Sequence, residues 1–199
     1  MLLRLLHLAA LLGIPAVGIT LWAWGQPLTS TSGEFHLWVN SIWASENSQQ
    51  VADWYSLSHT VHGLLIGLLS WGLKRRTGYA PIYAVAILTG VGWEIVEHTD
   101  WVLDRFRAVT LYQGYIGDSV LNAVMDYVFM MAGFFIGSTL RPLSVALVIA
   151  VLELSSALIA RDSLALTTIH TVFPVPALDA WQDEINPRTH PELLEDGRN

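Results

Sequence analysis

Five stretches of the chain are apolar over about the twenty residues needed to cross roughly 30 Å of hydrocarbon, and most polar positions fall between them. They cover residues 2–24, 56–73, 80–98, 118–140 and 143–160. The first starts just ahead of Arg4 and closes on Trp22-Ala23-Trp24, aromatic anchors of the kind found at membrane interfaces. Its apolar run is longer than the core of a cleaved signal peptide, so it reads as an uncleaved span. Gly25 to Tyr55 is mixed, and Trp38, Trp43 and Trp54 predict that it lies against the membrane surface. Leu164 to Phe173 is apolar but too short to cross, and Pro174 and Pro176 stop it. The pattern predicts an all-α polytopic membrane protein. Residues 1–181 form a single domain, a five-span helical bundle with a short interfacial helix near the C-terminus, and 182–199 form a polar, solvated acidic tail.

Composition agrees: of 199 residues, 53% are hydrophobic and only 14% charged, outside the ordinary soluble range. The formal net charge of −7 comes with no basic run longer than Lys74-Arg75-Arg76, which argues against nucleic acid as a partner and for membrane lipids. The loops after spans two and four carry Lys74, Arg75, Arg76 and Arg141 and no acid. By the positive-inside rule the amino terminus is then cytoplasmic and, after five crossings, the carboxyl terminus lies outside. With no cysteine in the chain, thiolate chemistry and sulfur-ligated metals are excluded, and any metal must sit on nitrogen and oxygen.

Polar residues inside the spans change the picture most. His59 and His62 are three apart, Glu94 and Glu97 are three apart, and Asp118, Asn122 and Asp126 are four apart, so each set forms a stripe on one helix face. Counting about 1.5 Å per residue from the outer boundary, His59, His62, Glu94, Asn122, Asp126 and Glu153 all lie roughly 5–12 Å deep. Gly63, Gly67, Gly90, Gly133 and Gly137 continue the stripes, and small residues at this spacing mark close helix–helix contact in a bilayer. The stripes are therefore expected to face one another.

An unpaired carboxylate at this depth must be neutral, paired with a cation or bound to a metal. Two histidines with carboxylates make a nitrogen/oxygen set suited to zinc, manganese or iron, with His59, His62, Glu94 and Asp126 as ligands. Glu97 or Glu153 would then be the general base of a metal-dependent hydrolase or transferase. The alternative is a hydrogen-bonded network that locks helices together, although interhelical bonds average only about 0.6 kcal/mol. Arg105 and Arg107 above the stripes, Arg161 at the end of span five and Asn122 are the candidates for binding an anionic head group, with salt bridges to Asp100, Asp104 and Asp162 the simpler reading for the arginines. His98 and His170 read as interfacial, and Asp53, Ser56 and Asp118 as helix caps.

At "SENSQQVADWYSLSHTVHG", "GWEIVEHTD", "DRFRAVTL", "GYIGDSVLNAVMD" and "ARDSLAL" the chain resembles an alphaproteobacterial inner-membrane family of unknown function (domain of unknown function 2585, uncharacterised protein family 0314). The resemblance covers nearly everything from Gly25 to Gln182 and implies the bacterial inner membrane but no activity. Where this chain has Thr29-Ser30-Thr31-Ser32, family members commonly carry a cysteine pair, and they have asparagine in place of His98, which argues against His98 as a ligand. More distantly, the histidines, Trp93-Glu94-x-x-Glu97 and Asp118-x-x-x-Asn122-x-x-x-Asp126 are similar to VanZ-like proteins, which implies a cell-envelope or lipid context. Two functions remain open: a periplasm-facing site that binds or processes an anionic lipid or envelope precursor, or a non-enzymatic subunit that docks a membrane-protein partner or conducts protons or ions.

Overall fold

The computed structural model describes residues 1–109, 115–191 and 193. Among these the chain forms eight helices and no strand: α1 (Leu2–Ala23), α2 (Trp54–Thr77), α3 (Tyr79–Glu97), α4 (Asp100–Val109), α5 (Val120–Thr139), α6 (Pro142–Ile159), α7 (Leu164–Val172) and α8 (Pro176–Asp183). α1, α3, α5 and α6 are long and apolar enough to cross a membrane, which makes this a multi-pass membrane protein. α2, at 24 residues, is about 36 Å long, but its serines, histidines and terminal Lys74-Arg75-Arg76 make it more polar than the other four.

α2 and α5 share the most extensive interface, and their glycines explain why. A Cβ on Gly63 would fall inside the carbonyl oxygen of Met130, one on Gly133 inside that of Thr60, and one on Gly137 would meet Leu64 O at 2.6 Å. The two backbones are thus in direct contact. Because Thr60 meets Gly133 while Gly67 meets Gly137 and Ser138, α2 and α5 run parallel, at the same depth. α3 runs antiparallel to α5, pairing Gly90 with Tyr127 and Met130 and stacking Tyr83 on Phe134 at 5.4 Å. α1 is also antiparallel to α5: Tyr127 Oη donates to Ala10 O at 2.9 Å, and Gly18 touches Val120 and Val124. α6 lies on the other side of α2, with most of its surface exposed.

Stretch 24–53 forms no helix or strand, yet it is tied to the start of α5. Val120 N–H donates to Pro27 O, Ser119 N–H to Ser48 O, Ser119 Oγ to Gln49 O and Asn122 Nδ2 to Gln50 O. Ser48 takes φ of 60° to make this turn, a left-handed conformation unusual for serine.

One expectation is corrected. The connection between the third and fourth apolar stretches, in which no helix was expected, begins with α4, whose Val102, Leu103 and Phe106 form a small core with Tyr115; its apolar side was hidden among four charged positions. Gln182, the first residue of the expected tail, lies in α8's last turn and is buried, its amide donating to Arg161 O at 2.9 Å. Residues 192 and 194–199 of that tail lie outside the described residues.

Candidate functional site

α2 begins with a reciprocal cap. Asp53 accepts hydrogen bonds from Tyr55 N–H and Ser48 N–H, both at 2.8 Å, while Ser56 Oγ accepts from Asp53 N–H. This fixes the first turn of α2 and aims Tyr55, Ser58, His59 and His62 into a cavity of about 440 Å³. Asp126 of α5, Glu97 and Trp93 of α3, and Asp118 and Tyr115 ahead of α5 complete its inner side, and α7 closes the opposite wall with Leu164, Thr167, Thr168, Thr171 and Val172.

The floor is dense in acid. His59 lies between two carboxylates, Nδ1 at 3.2 Å from Glu94 Oε1 and Nε2 at 3.8 Å from Asp126 Oδ2. Glu94, Glu97 and Asp118 each offer an oxygen within 4.8 Å of the other two. Both oxygens of Glu94, Oε2 of Glu97, Oδ1 of Asp126 and Oδ1 of Asn122 are buried with no hydrogen-bond partner. The Glu94–His59 approach is close enough for an ion pair but lacks hydrogen-bond alignment. Such groups are costly in a membrane interior unless something neutralises them.

The residues singled out from sequence divide sharply. His59, His62, Glu94, Glu97 and Asp126 converge on the cavity or directly behind it. Glu153 does not: its Oε2 accepts from Ala165 N–H at 3.0 Å, capping α7. The arginines are occupied as well. Arg105 grips Thr171 O through Nε and Nη2 at 3.0 and 2.6 Å, Arg107 donates to Tyr115 O and Asp104, and Arg161 spans Trp181 O, Glu184 and the Trp181 ring. Asn122 is a brace, its amide spent on Gln50 O.

Sequence reasoning missed His98 and misassigned Asp118. His98 is buried rather than interfacial, with Nδ1 donating to Glu94 O at 2.7 Å and Nε2 accepting Asp118 N–H at 2.8 Å. Its two partners fix the tautomer with hydrogen on Nδ1. The α5 cap is Ser119, which frees the Asp118 carboxylate to accept from Tyr115 Oη at 2.5 Å and to face the cavity. His170, also read as interfacial, is buried with Nε2 at 3.0 Å from Asp179 Oδ1. No periodic signal links His98 to Asp118, because residues 115–119 ahead of α5 are irregular.

Comparison with known proteins gives this site a family. The family described as "Protein of unknown function (DUF2585)" matches residues 21–184. The chain belongs to this family. It is 40% identical over 159 residues to the UPF0314 protein of Sphingopyxis alaskensis, covering 79% of this chain and 84% of the relative. Relatives in Novosphingobium aromaticivorans (40% over 173 residues, 84% of this chain and 87% of the relative) and Sinorhizobium fredii (40% over 177 residues, 88% and 89%) are similar over comparable lengths. No solved structure matches. Every cavity residue lies inside the matched region.

Proposed function

We propose that this is an inner-membrane protein whose fifth span is α2, with its amino terminus in the cytoplasm, and that its cavity faces the periplasmic half of the bilayer and takes the head group of an anionic lipid or envelope precursor. The mixed lining of the cavity carries this reading: acids and imidazoles on α2, α3 and α5 share it with Trp93, Phe106, Leu164 and Val172, and Val172 is exposed beside Ile169 and Phe173, which do not line the cavity. A ligand polar at one end and greasy at the other suits such a lining. The three arginines are already paired, so they do not supply the charge that recognises an anion. That role falls to protonated His59, set between Glu94 and Asp126, or to a metal ion held among the carboxylates of the site.

The test is lipid analysis of the full chain purified in mild detergent. An anionic lipid should be retained well above its share of the membrane, and Thr167→Trp, which fills the cavity from α7 without touching the acids, should displace it. Retention in proportion to bulk composition, or unchanged retention in the variant, overturns the reading. His59, bracketed by Glu94 and Asp126, favours a second reading, a proton-conducting network. Proton flux in proteoliposomes that disappears in His59→Gln would support that one.

A further inference from the structure

We infer that Glu94, Glu97 and Asp118 form a binding site for a hard divalent cation of the magnesium, manganese and calcium class. This deepens the proposed lipid-head function by naming the positive partner the head group would meet, and it rests on that reading for its role, though not for binding itself.

Three observations converge. The first is geometric: two oxygens bound to one such ion at about 2.1–2.5 Å stand no more than about 5 Å apart. One oxygen from each of Glu94, Glu97 and Asp118 already lies within 4.8 Å of the others, and among the described residues no other group of three metal-ligating side chains does so. The second is the state of those atoms. Glu94 is 1% exposed with neither oxygen in a hydrogen bond, only His59 Nδ1 lying 3.2 Å from Oε1, and Glu97 Oε2 beside it has no hydrogen-bond partner. The third is support around the ligands: His98 bonds Glu94 O and Asp118 N–H at once, so one ring fixes the two segments that carry the carboxylates, and Tyr115 Oη orients Asp118. Outer partners of this kind hold ligands in register.

The donor set decides the class of ion. Three carboxylates and no nitrogen suit magnesium, calcium or manganese, not the imidazole-based zinc or iron set that the histidine pair suggests from sequence. Glu97 and Asp118 line the cavity while Glu94 sits behind them, so coordination positions remain open on the cavity side. Phosphate or carboxylate oxygens bind such positions. His59, 3.2 Å from Glu94, stands beside the ion as a proton carrier rather than a ligand.

The probe is Mn²⁺ alone, followed by electron paramagnetic resonance on EDTA-stripped, detergent-purified full chain. Saturable stoichiometric binding is expected, displaced by Mg²⁺ or Ca²⁺, weakened at least tenfold in Glu97→Gln and in Asp118→Asn, and little changed in His62→Gln. His98→Ala, which removes both ring contacts, should weaken binding by about tenfold as a positioning effect. Each variant's thermal unfolding without metal serves as the check on folding, and Mn²⁺ should raise the wild-type midpoint but not that of Glu97→Gln. No saturable Mn²⁺ binding to folded wild type, or binding lost in His62→Gln but kept in the carboxylate variants, overturns the inference. Lipid retention in EDTA without metal binding would sink the cation alone, and metal binding without lipid retention would sink the lipid reading alone.

Discussion

At the scale of single residues, close approach and burial set the strongest expectations. Gly63 faces the Met130 carbonyl with no room for a methyl group, whereas nothing lies within 4 Å of a Cβ on Gly72 of the same helix. Gly63→Ala should therefore destabilise by at least the ~1–3 kcal/mol typical of overpacking, and Gly72→Ala should be neutral or stabilise by ~0.5–1 kcal/mol. Thermal unfolding in one detergent compares them directly. Asp162, outside the spans, offers a pH test. Burial pushes its carboxyl from 3.8 up to about 6, against hydrogen bonds from Thr167, Ser163 and Tyr55 that pull it down. The folded chain thus holds this proton more tightly than the unfolded chain, so the stability it contributes is full below pH 3.8 and is lost as pH rises through about 6. Measured against Asp162→Asn, wild type should lose ground across that window and stay level above it; a flat difference would disprove the assignment.

At the scale of elements, α7 is the wall most open to change. It is nine residues long, too short to hold itself as an isolated helix, and it is fastened from outside: Glu153 caps its start, Asp162 bonds Thr167, and Arg105 grips the Thr171 carbonyl. Removing the guanidinium in Arg105→Ala deletes charge-assisted bonds each worth about 1.5–3 kcal/mol. Hydrogen exchange across residues 164–172 should speed up by about tenfold or more while α2 and α5 stay protected. Equal acceleration in all three would mean that Arg105 supports the whole bundle and not this wall. α2 shows the complementary case, a helix too polar to look comfortable in lipid that is sheltered by α5, α3 and α6.

At the scale of the whole molecule, the parallel pairing of α2 with α5, and the antiparallel placement of α1 and α3, fit a chain that crosses five times in alternation. Because it has no native cysteine, single substitutions report orientation directly: Thr77→Cys should be shielded from an impermeant thiol reagent in intact cells and Ser45→Cys labelled, and the reverse pattern would invert the proposed topology. The sequence by itself determined the helical class, the positions of the long helices to within a few residues, and the stripes that gather His59, Glu94 and Asp126, because a bilayer demands long apolar runs and exposes every polar exception on a helical period. What only the tertiary structure decided was how the remaining side chains are used. Arg105, Arg107, Arg161 and Glu153 proved to be fasteners because backbone carbonyls and amides from other segments came within their reach, and Asp118 joined the acidic floor because the irregular residues 115–119, which carry no periodic signal, set it against His98 just beyond α3.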